Sequence, residues 1–291
     1  MRTLDPVALR DALRGVRALL LDLDGVIVSA EKAVPGSVDA INELERRGTT
    51  YRIVTNTSLV SRRSLSQSAA RLGNEIPPER FQSALSASAA FAARTFPGQP
   101  LYVLASDDAR AEFDGQRLLS NVDAAAPGAR AAAVIVGDSP EELSHANLNS
   151  AFRLVRAGAR LIGMHRNAWW LTPDGPTLDS GAYVTALEFA AGVRAQIIGK
   201  PAPAFFSLAV EALRREASAR AYRLRRAEIA MVGDDVRTDV LAGQRAGLRG
   251  VLVLTGKHGL ETLAAAHGHG RGGREPHAVA PSLADVVAAL D

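Results

Sequence analysis

Leu19-Leu20-Leu21-Asp22-Leu23-Asp24-Gly25-Val26 is the stretch whose reading decides the fold. Ala18 to Leu21 are apolar without alternation, the pattern of a parallel strand covered on both faces. Asp22 and Asp24 then emerge where such a strand leaves its sheet, the place where open α/β sheets bind ligands. Residues two apart on an extended segment point the same way, so both carboxylates address one point, and Gly25 lets the backbone turn closely around it. Two carboxylates facing one point repel unless a cation or a shared proton relieves them. An oxygen-rich set of this kind suits Mg²⁺. The competing reading is a plain strand and turn, because Asp and Gly are common turn residues, so the decision rests on what the rest of the chain supplies.

The chain has 291 residues, with 47% apolar and 22% charged, the proportions of a soluble globular protein of one or two domains. A net charge of +3 and a pI near 9.6 reflect a small arginine excess rather than a basic stripe, so nucleic-acid binding is not indicated. The absence of cysteine rules out disulfides and thiolate chemistry and fits a reducing compartment. Met1 to Arg17 mixes charges with leucines and has no apolar leader core, and no run approaches membrane-spanning length. The expectation is a cytoplasmic protein without membrane partners.

Outward from the first strand, residues 5–15 read as a short amphipathic helix and 37–47 as a helix stopped by Gly48. A second strand at 51–54 runs into Thr55-Asn56-Thr57-Ser58, completing a βαβ unit whose second strand also ends in polar groups. Those groups suit phosphate oxygens, with Thr55 assigned to the ligand. Ser58 or Ser61 equally suits an N-cap for the helix that runs through Leu72. Pro97-Gly98-Gln99-Pro100 marks a break. Beyond it come strands near 101–104, 132–138 and 160–163, and helices near 143–157 and 184–191, a small α/β module.

The chain returns at Gln196-Ile197-Ile198-Gly199-Lys200-Pro201, where Lys200 is one of three lysines among 34 basic residues. A compact ammonium at a strand end suits phosphate, and an ordinary surface charge is the alternative. A helix near 204–216 leads to the strand 229–232, which ends in Gly233-Asp234-Asp235 with Asp239 beyond. Asp234 would complete an oxygen-ligand site with Asp22, whereas Asp239 also suits a helix N-terminus. A helix at 241–246, a last strand at 250–254 and a closing helix at 282–290 finish the pattern. His267-Gly268-His269 has too few ligands for a metal site and reads as a flexible loop.

This ordered set, Asp22-Leu23-Asp24-Gly25, Thr55, Lys200 and Gly233-Asp234-Asp235, resembles the haloacid dehalogenase-like (HAD) hydrolase superfamily over nearly the whole chain. The long insertion between Thr55 and Lys200 resembles the C2-type cap of its nitrophenylphosphatase-like subfamily IIA. Tyr183-Val184-Thr185-Ala186-Leu187-Glu188 and Val253-Leu254-Thr255-Gly256-Lys257 look closest to the phospholysine, phosphohistidine and inorganic pyrophosphate phosphatase group. The implied fold is α/β, a Rossmann-like core with a parallel central sheet (residues 1–98 and 195–291) and an inserted α/β cap (99–194). The second motif reads Thr-Asn-Thr rather than the Thr-Asn-Asn common in that branch.

The resemblance implies a Mg²⁺-dependent phosphatase of small phosphorylated metabolites, with Asp22 as nucleophile, Asp24 as general acid and base, and Thr55 and Lys200 on the phosphoryl group. Mg²⁺ would be held by Asp22, the carbonyl of Asp24, and Asp234, with Asp235 and Asp239 behind them. Gly25, Asn56, Thr57, His165, Ser180 and Gly181 would line phosphate or substrate. An aspartate at position 24 argues against dehalogenation. Hydrolysis of P–N or P–O–P bonds is the nearest alternative, mutase activity ranks lower, and a catalytically idle binding protein would need a missing catalytic residue. A homodimer through the cap is implied by the resemblance alone. Trp169 and Trp170 are expected to pack inside the cap, since buried aromatics dominate cores, and His165 to be a polar loop residue.

Overall fold

The structure is a computed structural model that describes residue 4 and residues 6–29, 31–172, 175–258 and 275–291; the glycine- and histidine-rich stretch 267–273 lies outside the described residues. It divides into two compact units. The first comprises Met1–Thr55, Leu65–Gln82 and Lys200–Asp291, and the second Asn56–Ser64 and Ser83–Gly199. The chain passes between them after Thr55, Ser64, Gln82 and Gly199, so the first and last passages adjoin Thr55 and Lys200, and the helix Ala84–Thr95 clusters with the second unit.

The first unit is built on a six-stranded sheet with the spatial order Ala278–Ala280, Arg249–Val253, Ile229–Gly233, Ala18–Asp22, Thr50–Thr55, Phe81–Ser83. Ala18–Asp22 pairs in parallel with Ile229–Gly233 on one side, Leu21 opposite Val232, and with Thr50–Thr55 on the other, Asp22 opposite Val54. All five residues of this strand are buried, as its unbroken apolar run requires of a strand packed on both faces. Burying each leucine contributes roughly 1.5–3 kcal/mol. From Ala18–Asp22 the chain builds the sheet toward Phe81–Ser83, then returns to the opposite side through Ile229–Gly233. The crevice between Asp22 and Asp234 is therefore the switch point of the topology.

The second unit has its own four-stranded parallel sheet, ordered Gln196–Ile197, Arg160–Gly163, Ala133–Val136, Leu101–Leu104. Its core gathers Tyr102, Val134, Val136, Leu154, Leu161 and Val184.

Three sequence expectations are corrected. Arg249–Val253 is not the last strand: Ala278–Ala280 adds a parallel strand at the sheet edge, too short for its periodicity to register. The second cap helix starts at Ser180 rather than near Val184, because Asp179 accepts the Ser180 N–H at 2.6 Å and caps it. Trp169 and Trp170 lie in an antiparallel hairpin, Trp169–Thr172 with Gly175–Leu178, and are 61% and 42% exposed instead of core. Among the described residues no helix is long and apolar enough to cross a membrane.

Candidate active site

In the first unit, Asp22, Asp234 and Asp239, all buried, each place a carboxylate oxygen within 4.8 Å of the others. Asp22 stands at the end of the central strand, and Asp234 follows the strand next to it. Asp239 arrives by a different route. Asp235 to Val240 form a wide π-type turn in which the Asp235 carbonyl accepts the Val240 N–H at 3.2 Å, and this swings Asp239 back under the strand ends. Its Oδ2 accepts the Asp235 N–H at 3.3 Å. The sequence reading places Asp239 behind the ligands; its carboxylate lies within 4.8 Å of those of Asp22 and Asp234 and pairs with Lys200.

Lys200 supplies the counter-charge. Its Nζ is 2.7 Å from Asp22 Oδ1, 2.7 Å from Asp239 Oδ1 and 3.2 Å from the Val54 carbonyl, next to Thr55. Lys200 and Thr55 are both buried, at 4% and 1% exposure. Burial lowers the lysine's affinity for its proton, but Asp22 and Asp239 outweigh that and hold its pKa above the usual value. Burial raises the pKa of Asp22 and of Asp239 despite the lysine, because three acids share one cation.

Asp24 reaches the surface but sits among crowded atoms. That partial desolvation, ahead of Lys200 acting the other way and Asp234 and Asp239 opposing ionisation, raises its pKa. The turn that carries it closes on itself: the Gly25 N–H donates to the Val28 carbonyl at 2.7 Å, so it is engaged inside the turn instead of facing a phosphate. Gly25 has φ +76°, and a Cβ there would overlap Asp234, which explains the glycine twice over.

Adjacent Asp234 and Asp235 titrate in opposite directions. Burial raises Asp234, partly offset by the Lys257 N–H, whose bond to Asp234 Oδ2 measures 2.6 Å. For Asp235 burial is overcome by the Thr238 N–H and by Lys257, whose Nζ lies 2.9 Å from Oδ2, and its pKa is held at about 2. Asp235 also accepts the Arg237 N–H at 2.8 Å, so it caps the turn and is absent from the Asp22 cluster.

Asn56, Thr57, His165, Ser180 and Gly181 belong to the second unit. His165 lies in a loop, as expected, but is buried at 2% exposure and is the hub of a polar junction. Its Nε2 lies 2.9 Å from Ser58 Oγ, 3.2 Å from Ser180 Oγ and 3.5 Å from Asp179 Oδ1. The Asn167 N–H donates to its Nδ1 at 3.3 Å, which assigns the ring proton to Nε2. Burial lowers the His165 pKa against the pull of Asp179, favouring the neutral ring. Ser58 Oγ also accepts the Asp138 N–H at 2.9 Å. Ser58 is thus committed here, while Ser61 caps the helix Arg62–Arg71 by accepting the Ser64 N–H at 3.2 Å. Gly181 packs against the Arg166–Asn167 backbone, leaving no room for a Cβ. The sequence gives no sign that Ser58 and Asp179 are partners of His165, or that Asp138 joins them through Ser58, beyond each sitting in a small polar loop next to a strand or helix.

A family model described as haloacid dehalogenase-like hydrolase matches residues 19–118, and one described as HAD-hydrolase-like matches 197–286. The chain is 35% identical over 249 residues to bovine haloacid dehalogenase-like hydrolase domain-containing protein 2, covering 84% of this chain and 86% of that one. It is 34% identical over 253 residues to the human phospholysine phosphohistidine inorganic pyrophosphate phosphatase, covering 84% and 85%. The solved p-nitrophenyl phosphatase from Archaeoglobus fulgidus superposes with a TM-score of 0.82 at 27% identity, over 94% of this chain and 99% of that one. With the acidic cluster and its lysine at the switch point of the sheet, these likenesses mean that the chain belongs to the haloacid dehalogenase-like hydrolases, as one of the family's phosphatases.

Proposed function

We propose that the protein is a Mg²⁺-dependent, cytoplasmic phosphatase of small phosphorylated metabolites that works through an aspartyl-phosphate on Asp22. The observation that carries this reading is the buried set of Asp22, Asp234 and Asp239 around Lys200 at adjacent strand ends. The donor set fits the metal: clustered carboxylate oxygens are what a hard divalent cation takes. Asp22, the carbonyl of Asp24, and Asp234 would hold it, and when bound it would neutralise charge on the transferring group.

Asp22 attacks phosphorus as the P–O bond to the leaving group breaks, and Asp24 delivers its proton to the departing oxygen. Asp24 then takes a proton from the water that attacks the phosphoryl-aspartate, which returns Asp22 as a carboxylate and releases phosphate. Burial shifts the Asp24 pKa upward, the direction that favours its protonated form as the acid. Lys200 and Thr55 hold the phosphoryl oxygens, and Lys200 favours the ionised form of Asp22 needed for attack against the opposing effect of burial.

A second reading, hydrolysis of P–N or P–O–P bonds, draws on the name of the human relative. One experiment tests both. Phosphate release is followed with and without Mg²⁺ for wild type and Asp22→Asn on p-nitrophenyl phosphate, pyridoxal phosphate, glycerol phosphate, phosphoglycolate, nucleoside monophosphates, pyrophosphate and phosphohistidine. Metal-dependent turnover lost in the variant supports the mechanism, and the preferred substrate selects the reading. No release by folded wild type with Mg²⁺ on any of them would favour a binding protein instead.

A further inference from the structure

Behind Asp234 lies a segment that the phosphatase mechanism does not use. After the strand Arg249–Val253 the chain turns through Thr255-Gly256-Lys257-His258, and four contacts fasten this turn to the catalytic strand ends. Thr255 Oγ1 donates to the Gly25 carbonyl. The Lys257 N–H donates to Asp234 Oδ2 at 2.6 Å, its Nζ reaches Asp235 Oδ2 at 2.9 Å, and His258 Nδ1 accepts the Val236 N–H at 3.1 Å. Gly25 and Gly256 also close on Asp234 from both sides: a Cβ at either would overlap its carboxylate, and a Cβ at Gly25 would meet the Gly256 backbone.

We propose that Thr255–Lys257 is a positioning strap that fixes the rotation of the Asp234 carboxylate for the divalent cation, through the Lys257 backbone N–H and the bare backbone of Gly256. It rests on the reading that Asp234 is a metal ligand. A short N–H to carboxylate bond is charge-assisted and directional, so one oxygen is held by the strap and the carboxylate plane is set before any cation arrives. The Lys257 ammonium does a different job. Its side chain is 67% exposed and draws Asp235 away from the cluster, where the Arg237 and Thr238 N–H groups already hold that carboxylate. The backbone of residue 257 thus matters to Asp234, and its side chain does not.

The two roles separate by mutation. Lys257→Pro removes the N–H, Lys257→Ala keeps the N–H and removes the ammonium, and Gly256→Ala keeps every donor but crowds Asp234; the Gly256 backbone is outside the left-handed region, so alanine adds no φ strain there. Mg²⁺ binding to the full-length protein is measured by titration calorimetry, with Mn²⁺ as a second probe, after circular dichroism and a thermal melt establish folding. The expected result is affinity about 10- to 100-fold weaker in Lys257→Pro and Gly256→Ala, the range for losing a group that orients a metal ligand, with Lys257→Ala within about threefold of wild type. If Lys257→Pro fails to fold, Gly256→Ala carries the test. Wild-type affinity in folded Lys257→Pro or Gly256→Ala overturns the strap, as does a loss in Lys257→Ala equal to that in Lys257→Pro. Wild type that binds neither ion overturns the metal reading itself and the strap with it.

Discussion

Lys200 Nζ lies 2.7 Å from Asp22 Oδ1, and the same nitrogen is 2.7 Å from Asp239 Oδ1. One buried ammonium therefore serves two buried carboxylates, each with its pKa raised by burial. Lys200→Met keeps most of the volume and leaves both acids without their cation. Uncompensated buried charge of this kind costs about 3–5 kcal/mol, read as a lower urea midpoint of the metal-free protein at pH 8. Because the folded-state pKa of Lys200 is raised, its contribution is complete below the unfolded lysine value of about 10.4 and is lost only as pH rises through the folded value. The deficit should therefore persist across pH 7–9. A Lys200→Met protein as stable as wild type at pH 8 would remove the lysine as the cluster's counter-ion.

Asp22 and Asp24 are separable by kinetics. Asp22→Asn removes the nucleophile and should abolish phosphate release. Asp24→Asn keeps the nucleophile but loses proton transfer, and should lower kcat by roughly 10²- to 10⁴-fold. The loss should shrink for p-nitrophenyl phosphate, whose leaving group departs without a proton. Rapid-mix measurements on alkyl and nitrophenyl esters check this; equal losses on both would take the acid role away from Asp24.

The central strand was legible because its apolar run is unbroken, as a strand buried on both faces requires, whereas its two acids read as a site only once Thr55, Lys200 and Asp234 appeared at other strand ends. Asp239 was harder to read. An ordinary helix would turn it away from the strand ends, and only the wide turn from Asp235 to Val240 returns it, a feature with no clear residue signature. The choice between Ser58 and Ser61 as helix cap was also undecidable from composition, since both are serines in one polar run and only the approach of His165 and Asp138 commits Ser58 elsewhere. Trp169 and Trp170 failed for a different reason. Large aromatics are usually buried, but these two side chains lie on a short antiparallel ribbon and remain largely exposed.

His165 ties the segments carrying Ser58, Asp138, Asn167 and Ser180 into one junction. His165→Ala should leave Ser58 and Ser180 without that partner and cost about 1–3 kcal/mol. It should also free the Asp138 amide, whose hydrogen bond to Ser58 depends on where Ser58 is held. Hydrogen exchange followed by NMR reads this at one residue: protection at Asp138 should fall by more than at Leu161 in the neighbouring strand. Unchanged Asp138 protection would reduce His165 to a space filler.

Asp138 gives the second unit a stability term that depends on pH. Burial, with the nearby Asp179 adding to it, pushes its pKa up to about 6. A carboxyl whose folded pKa is above its unfolded value favours the folded state most when protonated, below about pH 4, and loses that advantage as pH rises through 6. Wild type therefore bears a cost above pH 6 that Asp138→Asn does not. A full two-unit shift of this buried carboxyl corresponds to about 3 kcal/mol at most. Urea unfolding at a series of pH values should show Asp138→Asn more stable than wild type at pH 7–8, the gap closing between pH 6 and pH 4. A gap that is constant with pH would mean that the substitution acts through packing rather than through this charge.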